Sequence, residues 1–304
     1  MRLKNWPLIG LIALALVTCL LVVLAFRHVR PIDGPATAVP AGETTDASDA
    51  STSPGADGAT NPSQSPSAST SSPPSGSASA TPGAGGLAAA QAALNGSQPV
   101  RILVLGDGSG DAGDEWVSLW ARDLAADHTV AYAGWNSSTQ GFDPAKRQGN
   151  GPEISLFNAS HDDATVAEAA RDLDQIRRGA SGSATPTLSA DPTEIVVISF
   201  GYQESPGKFA QDLQKLAGQL DSGTPVLVVN QAPQKGAQAN VQRQRARAAT
   251  DWADKNNYGA VDVFAAFIAA PEPLAQLLDS QGALPNARGQ QVWADAVASR
   301  LAAA

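Results

Sequence analysis

Four short blocks set polar and glycine residues just beyond apolar runs: RILVLGDGSG at Arg101–Gly110, NASHDDAT at Asn158–Thr165, VVISFGYQE at Val196–Glu204 and QGALPNARGQQVWADAV at Gln281–Val297. Residues of these types suit acyl-transfer chemistry. A hydroxyl attacks a carbonyl, backbone N–H groups and amides hold the oxyanion, and an acid or imidazole moves the proton. The candidates are Asp107, Ser109, His161, Asp163, Gln203 and Glu204.

In order, spacing and flanking residues the blocks resemble the SGNH/GDSL hydrolases, a family of extracytoplasmic esterases and acyl hydrolases. The resemblance implies Ser, Gly, Asn and His, one per block. Here the matching positions read Gly108, Asp163, Gln203 and Leu284. The first block keeps Gly106-Asp107 but replaces the nucleophile with Gly108; Ser109 stands one position late. The second keeps Asn158 and Thr165 but has Asp163 where a glycine N–H would meet the oxyanion. Pointing inward, that carboxylate opposes the oxyanion by about 4 kcal/mol at an effective dielectric of 20, roughly a thousandfold in rate. Pointing outward, Asp162 and Asp163 are good caps for the helix beginning near Thr165, and this reading is preferred. The third block replaces Asn-Asp with Gln203-Glu204, each longer by one methylene. The fourth keeps Pro285-Asn286 but has Leu284 for the general base and Gln281 for its orienting acid. The resemblance therefore implies the fold with its Ser–His chemistry removed. The leading expectation is a ligand- or partner-binding pseudoenzyme, with Asp107, Asp162, Asp163 and Glu204 making the pocket acidic.

Two other readings use the same loops. Ser109 could serve a divergent esterase with an unusual base; His161 would have to supply it from a loop the resemblance does not use that way. Gly108–Gly113 also spells G-x-G-x-x-G between a strand and a helix, a dinucleotide-binding signal. Against it, no acid stands near Trp135 to hold a ribose, and Asp107, Asp111, Asp114 and Glu115 would repel a pyrophosphate.

The elements that position the blocks follow from periodicity. Val100–Leu105, His128–Ala133, Glu153–Phe157, Glu194–Phe200, Pro225–Val229 and Ala260–Phe264 are short apolar runs and read as strands. Helical stripes lie between them: Trp116, Trp120 and Leu124; Val166, Ala169, Ala170, Leu173 and Ile176; Phe209, Leu213, Leu216 and Leu220. Ala237–Asn256, Pro271–Leu278 and Ala287–Leu301 are further helices, and Gly134–Pro152 and Gly179–Pro192 are loops. Apolar strands alternating with amphipathic helices predict an α/β fold: a three-layer, mostly parallel, flavodoxin-like sheet. Ligands of such sheets bind at the carboxyl ends of the strands.

Of the 304 residues, 98–304 form the expected SGNH hydrolase-like domain. Residues 31–97 are rich in Ser, Thr, Pro, Ala and Gly and are expected to be a disordered linker. Residues 1–30 read as a cytoplasmic tip and a transmembrane signal anchor. Trp6–Phe26 is 21 residues without charge, about 30 Å as a helix. No Lys or Arg occurs from Pro31 to Val100, which suits an extracytoplasmic domain. A cleaved signal peptide would have a shorter apolar region. Cys19, the one cysteine, is an alternative lipidation site, although Thr18 fits poorly before it and Leu20–Phe26 continue the apolar run; it permits no disulfide within the chain. A net charge of −9, with no basic cluster beyond Gln242–Arg247, argues against nucleic acid. That stretch reads as the wet face of a helix. Neither a metal nor a cofactor is expected. The partners expected are a membrane, through Trp6–Phe26, and a cell-envelope glycan, ester or protein ligand.

Overall fold

The computed structural model describes residues 86–182 and 193–302. The expected anchor at Trp6–Phe26, most of the expected linker and the loop from 183 to 192 lie outside the described residues. Among those described, no helix is long and apolar enough to cross a membrane.

The strands are β1 (Val100–Gly106), β2 (Thr129–Asn136), β3 (Gly141–Phe142), β4 (Lys146–Gln148), β5 (Glu153–Asn158), β6 (Thr193–Ser199), β7 (Val226–Val229) and β8 (Gly259–Val261). The helices are α1 (Gly86–Leu94), α2 (Trp116–Leu124), α3 (Val166–Gly182), α4 (Phe209–Ala217), α5 (Ala239–Lys255), α6 (Val263–Ala269), α7 (Leu274–Leu277) and α8 (Ala287–Ala302). The sheet runs β3-β2-β5-β1-β6-β7-β8, with β4 also paired to β2. From β2 to β8 every neighbouring pair is parallel, while β3 and β4 pair antiparallel to β2. Without the 129–148 insertion, the five remaining strands follow the 2-1-3-4-5 order of a flavodoxin-like sheet.

The strands send alternate side chains to opposite faces. Ile102, Val104, Ile195, Val197, Leu227 and Val229 meet Trp116, Trp120, Phe267 and Trp293 on one side. Leu103, Leu105, Val196, Ile198, Val226 and Val228 meet Leu173, Leu213, Leu216 and Trp252 on the other. The result is the expected three-layer arrangement. Trp116 of α2 stacks on Trp293 of α8 with ring centroids 5.6 Å apart, joining the first and fourth blocks through the core.

Three elements differ from the sequence expectation. Gly86–Leu94, inside the span expected to be disordered, is a helix whose Ala90 and Leu94 are buried. The apolar run Ala260–Phe264 is not one strand. Asp262 ends β8, and its carboxylate accepts Ala265 N–H at 2.9 Å, starting α6. The 134–152 excursion contains β3 and β4, so it is a hairpin-like sheet extension.

Candidate functional site

Three of the four blocks lie where the sheet topology requires, directly after β1, β5 and β6; the fourth precedes α8. Asp107 joins the first and third. Its buried carboxylate accepts Ser109 N–H at 3.2 Å and Ser109 Oγ–H at 2.7 Å on Oδ1, and Gly201 N–H at 3.0 Å and Tyr202 N–H at 3.1 Å on Oδ2. Burial pushes its pKa up, against the lowering effect of these hydrogen bonds. Asp107 is thus spent on holding the ends of β1 and β6 together.

Ser109 is 2% exposed. Besides Asp107 its hydroxyl meets Gln231 Oε1 at 3.2 Å, while Gln231 Nε2 donates to Ser199 Oγ at 3.2 Å. The backbone carbonyl of Ser109 accepts from Gln290 Nε2 at 3.4 Å. Among the described residues no histidine is hydrogen-bonded to Ser109. An alkoxide here would form beside a buried carboxylate, where like charge and desolvation both oppose it.

Gly108 lacks more than a hydroxyl. A Cβ at this position would press into the Asp162 carboxylate and come within 3.1 Å of the Asp162 Cα. The space a nucleophile would need is therefore filled from the second block. Sequence reasoning treated Asp162 as a capping residue, and the structure corrects that. The α3 cap is Thr165 with Glu168: Thr165 N–H and Oγ1 both lie 3.1 Å from Glu168 Oε2, and Glu168 N–H donates back to Thr165 Oγ1 at 3.3 Å. This is a reciprocal capping box.

Asp163 has φ of +60°, the left-handed conformation that glycine adopts most readily. Its exposed side chain faces solvent and meets Gln203 Nε2 at 3.4 Å, so it caps nothing. Gln203 is also exposed. His161 keeps Nδ1 3.2 Å from the Ala159 carbonyl, and its backbone extends the β1–β5 pairing opposite Asp107. Ser109, His161 and Gln203 therefore have separate partners.

Glu204, a sequence candidate for ligand binding, is buried and internal. Its Oε1 accepts Val166 N–H at 2.6 Å, the first turn of α3, and its own carbonyl accepts Arg245 Nε at 2.6 Å. Leu284 is 41% exposed. Its loop is closed by Asp279, whose Oδ1 accepts Gln281 N–H at 3.1 Å and Ala283 N–H at 2.9 Å. Asn286 Oδ1 accepts Arg288 N–H at 3.0 Å and Gly289 N–H at 3.1 Å at the start of α8, which explains why the Pro-Asn turn survives.

The rim of the first block is acidic. Asp111 and Glu115 share a hydrogen bond, and burial pushes the Glu115 carboxyl up to about 7. Asp111 is raised by burial and then by the charge of Asp162. The N-terminus of α2, which a dinucleotide would need, is taken: Trp116 N–H donates to Gln290 Oε1 at 2.9 Å, and Glu115 Oε2 accepts Ala112 N–H at 2.9 Å. Half-buried Tyr202 has a buried hydroxyl without a hydrogen-bond partner among the described residues; burial, then the charges of Asp107, Asp279 and Glu115, holds its pKa well above the usual value. Among the described residues, no group of three or more His, Cys, Asp or Glu could hold a metal ion.

Gln231, Ser199 and Gln290 were missed from sequence. A polar Asn230-Gln231 pair directly after the apolar β7, at the carboxyl edge, was the available signal.

Several solved structures are similar to this fold. An α/β hydrolase enzyme from the metagenome of Lake Arreo matches with a TM-score of 0.50 and 15% identity, over 68% of this chain and 97% of that one. A lipase/acylhydrolase from Enterococcus faecalis matches at 0.47 and 15%, over 67% and 95%. A member of the lipolytic G-D-S-L family from Veillonella parvula matches at 0.44 and 15%, over 66% and 97%. No protein-family model and no curated protein matches the chain. The domain has an SGNH/GDSL hydrolase-like fold.

Proposed function

We propose that this chain is a membrane-tethered, extracytoplasmic SGNH hydrolase-like protein that does not use Ser–His catalysis and binds a ligand or partner in the cell envelope. The observation that carries this reading is the filled nucleophile position. Gly108 carries no hydroxyl, and Asp162 lies against it, so that a side chain there would have to displace the Asp162 carboxylate and would meet the Asp162 Cα at 3.1 Å. Leu284 stands where an imidazole would take the proton. The acidic rim of Asp111, Glu115, Asp162 and Asp163 favours a cationic or hydroxyl-rich ligand. The anchor and the extracytoplasmic placement rest on Trp6–Phe26 and on the Lys- and Arg-free stretch that follows.

One observation favours a second reading, a divergent esterase: Ser109 Oγ donates to a carboxylate at 2.7 Å, so a proton acceptor is at hand. A serine-directed fluorophosphonate probe, followed by intact mass, separates the two. No adduct on the folded protein, and no turnover of a short acyl ester, is expected. An adduct on Ser109, with turnover abolished by Ser109→Ala, would establish the esterase instead.

A further inference from the structure

The stretch Gln242–Arg247, expected to be a uniformly wet face, divides in α5. Gln242 and Arg245 turn inward: Gln242 Nε2 donates to the Ala232 carbonyl at 3.3 Å, and Arg245 holds the Glu204 carbonyl. Arg243 and Arg247, one helical turn apart, instead line a separate cavity of about 310 Å³. It lies beyond the carboxyl ends of β7 and β8, since Asn230 follows the one and Asp262 the other.

The chain is acidic, and several of its arginines are neutralised. Arg101, Arg147, Arg171, Arg177 and Arg288 all pair with carboxylates. Among the described residues, neither Arg243 nor Arg247 has a carboxylate within 4.0 Å or a hydrogen-bond partner. Two adjacent guanidiniums present ten N–H donors in planar forks, a geometry that matches an oxyanion.

The floor of the cavity is already satisfied and rigid. Asn230 Nδ2 donates to Thr250 Oγ1 at 3.0 Å and to Asp262 Oδ1 at 2.8 Å, and Asn230 Oδ1 accepts Phe264 N–H at 3.0 Å. Thr250 Oγ1 spends its proton on the Ala246 carbonyl at 3.1 Å. Four groups are left to a visitor: the two guanidiniums, the Asp251 carboxylate and Asp262 Oδ2, which has no donor among the described residues. Positive forks beside carboxylate acceptors call for an anion that also carries hydroxyl donors. The volume is at the low end for small-molecule pockets, roughly 300–1,000 Å³. Two cations do not neutralise a row of phosphates, which sets nucleic acid aside.

We propose that this cavity binds a small hydroxylated anion, its phosphate or carboxylate held between Arg243 and Arg247 and its hydroxyls directed to Asp251 and Asp262. The site is separate from the Gly108 crevice and does not depend on the reading given above.

Calorimetric titration of the full chain at constant ionic strength tests this, with inorganic phosphate, glycerol phosphate and glycerate as probes. At least one of the two hydroxylated probes is expected to bind more tightly than inorganic phosphate, and which one does so names the oxyanion. Arg243→Gln and Arg247→Gln should each weaken that probe at least tenfold, about 1.4 kcal/mol. Both side chains are exposed, so the thermal midpoint should stay put. Arg178→Gln, an exposed arginine on α3 without a partner, should change nothing. Asp251→Asn should narrow the gap between the hydroxylated probe and inorganic phosphate. The proposal is overturned if no probe binds beyond chloride, or if Arg178→Gln weakens binding as much as Arg243→Gln. Equal binding of all three probes would remove the hydroxyl half of the assignment.

Discussion

Two crevices at the carboxyl edge of one sheet have opposite characters. Around Gly108 the buried polar groups at the centre have internal tasks. Asp107 ties β1 to β6, Glu204 caps α3, Ser109 is shared between Asp107 and Gln231, and Asp162 fills the remaining space. Around Arg243 and Arg247 the floor is equally well bonded, but the walls keep unspent charge. The difference is one of internal bonding: the groups at the centre of the first crevice are tied to one another and to the ends of β1 and β6, so that crevice contributes to stability. The second keeps exposed charges that are free to meet a ligand.

The largest effect that would test this contrast is Asp107→Ala. It strands the Gly201 and Tyr202 N–H groups at the centre of the closed crevice. At about 1–3 kcal/mol for each buried unpaired donor, urea unfolding should show a loss of about 3 kcal/mol or more. A loss near zero would mean that this crevice is not a structural element. Gly108→Ser should cost about 1–3 kcal/mol by overpacking against Asp162, and should yield no ester turnover even when combined with Leu284→His. A stable, active double variant would show that the crevice is merely unoccupied.

A smaller effect concerns the rim. The folded-state pKa of Glu115 lies above its ordinary 4.5, at about 7. The folded protein therefore binds more protons than the unfolded chain between those values, and stability falls as pH rises through that window. Glu115→Gln should flatten this part of a pH–stability profile followed by thermal unfolding, leaving the side-chain oxygen able to accept Ala112 N–H. An unchanged slope would remove Glu115 as its source.

Much of this architecture could be read from the chain before any coordinates. Strands buried on both faces leave continuous apolar runs, and one-sided helices leave stripes such as Phe209, Leu213 and Leu216, all buried. Local chemistry decided the misreadings. The Ala260–Phe264 run hid a helix start because its signal is one residue, Asp262, whose cap bond periodicity does not reveal. Gly86–Leu94 has the alanine-rich composition of the preceding stretch, yet it is ordered by tertiary contact through Ala90 and Leu94. Of the candidate site, the missing hydroxyl at Gly108 and missing imidazole at Leu284 were legible residue by residue. The approach of Asp162 to Gly108 was not, nor were the bonds to Ser109 from Gln231 and Gln290, 122 and 181 residues away.

Helix α1 carries a mechanical consequence. Gly86 is seated so closely against the amino ends of β7 and β8 that an added Cβ would lie 2.9 Å from both Gly259 N and Val226 O. A pull applied to the chain before Gly86 would therefore reach the sheet at its amino edge, opposite both crevices.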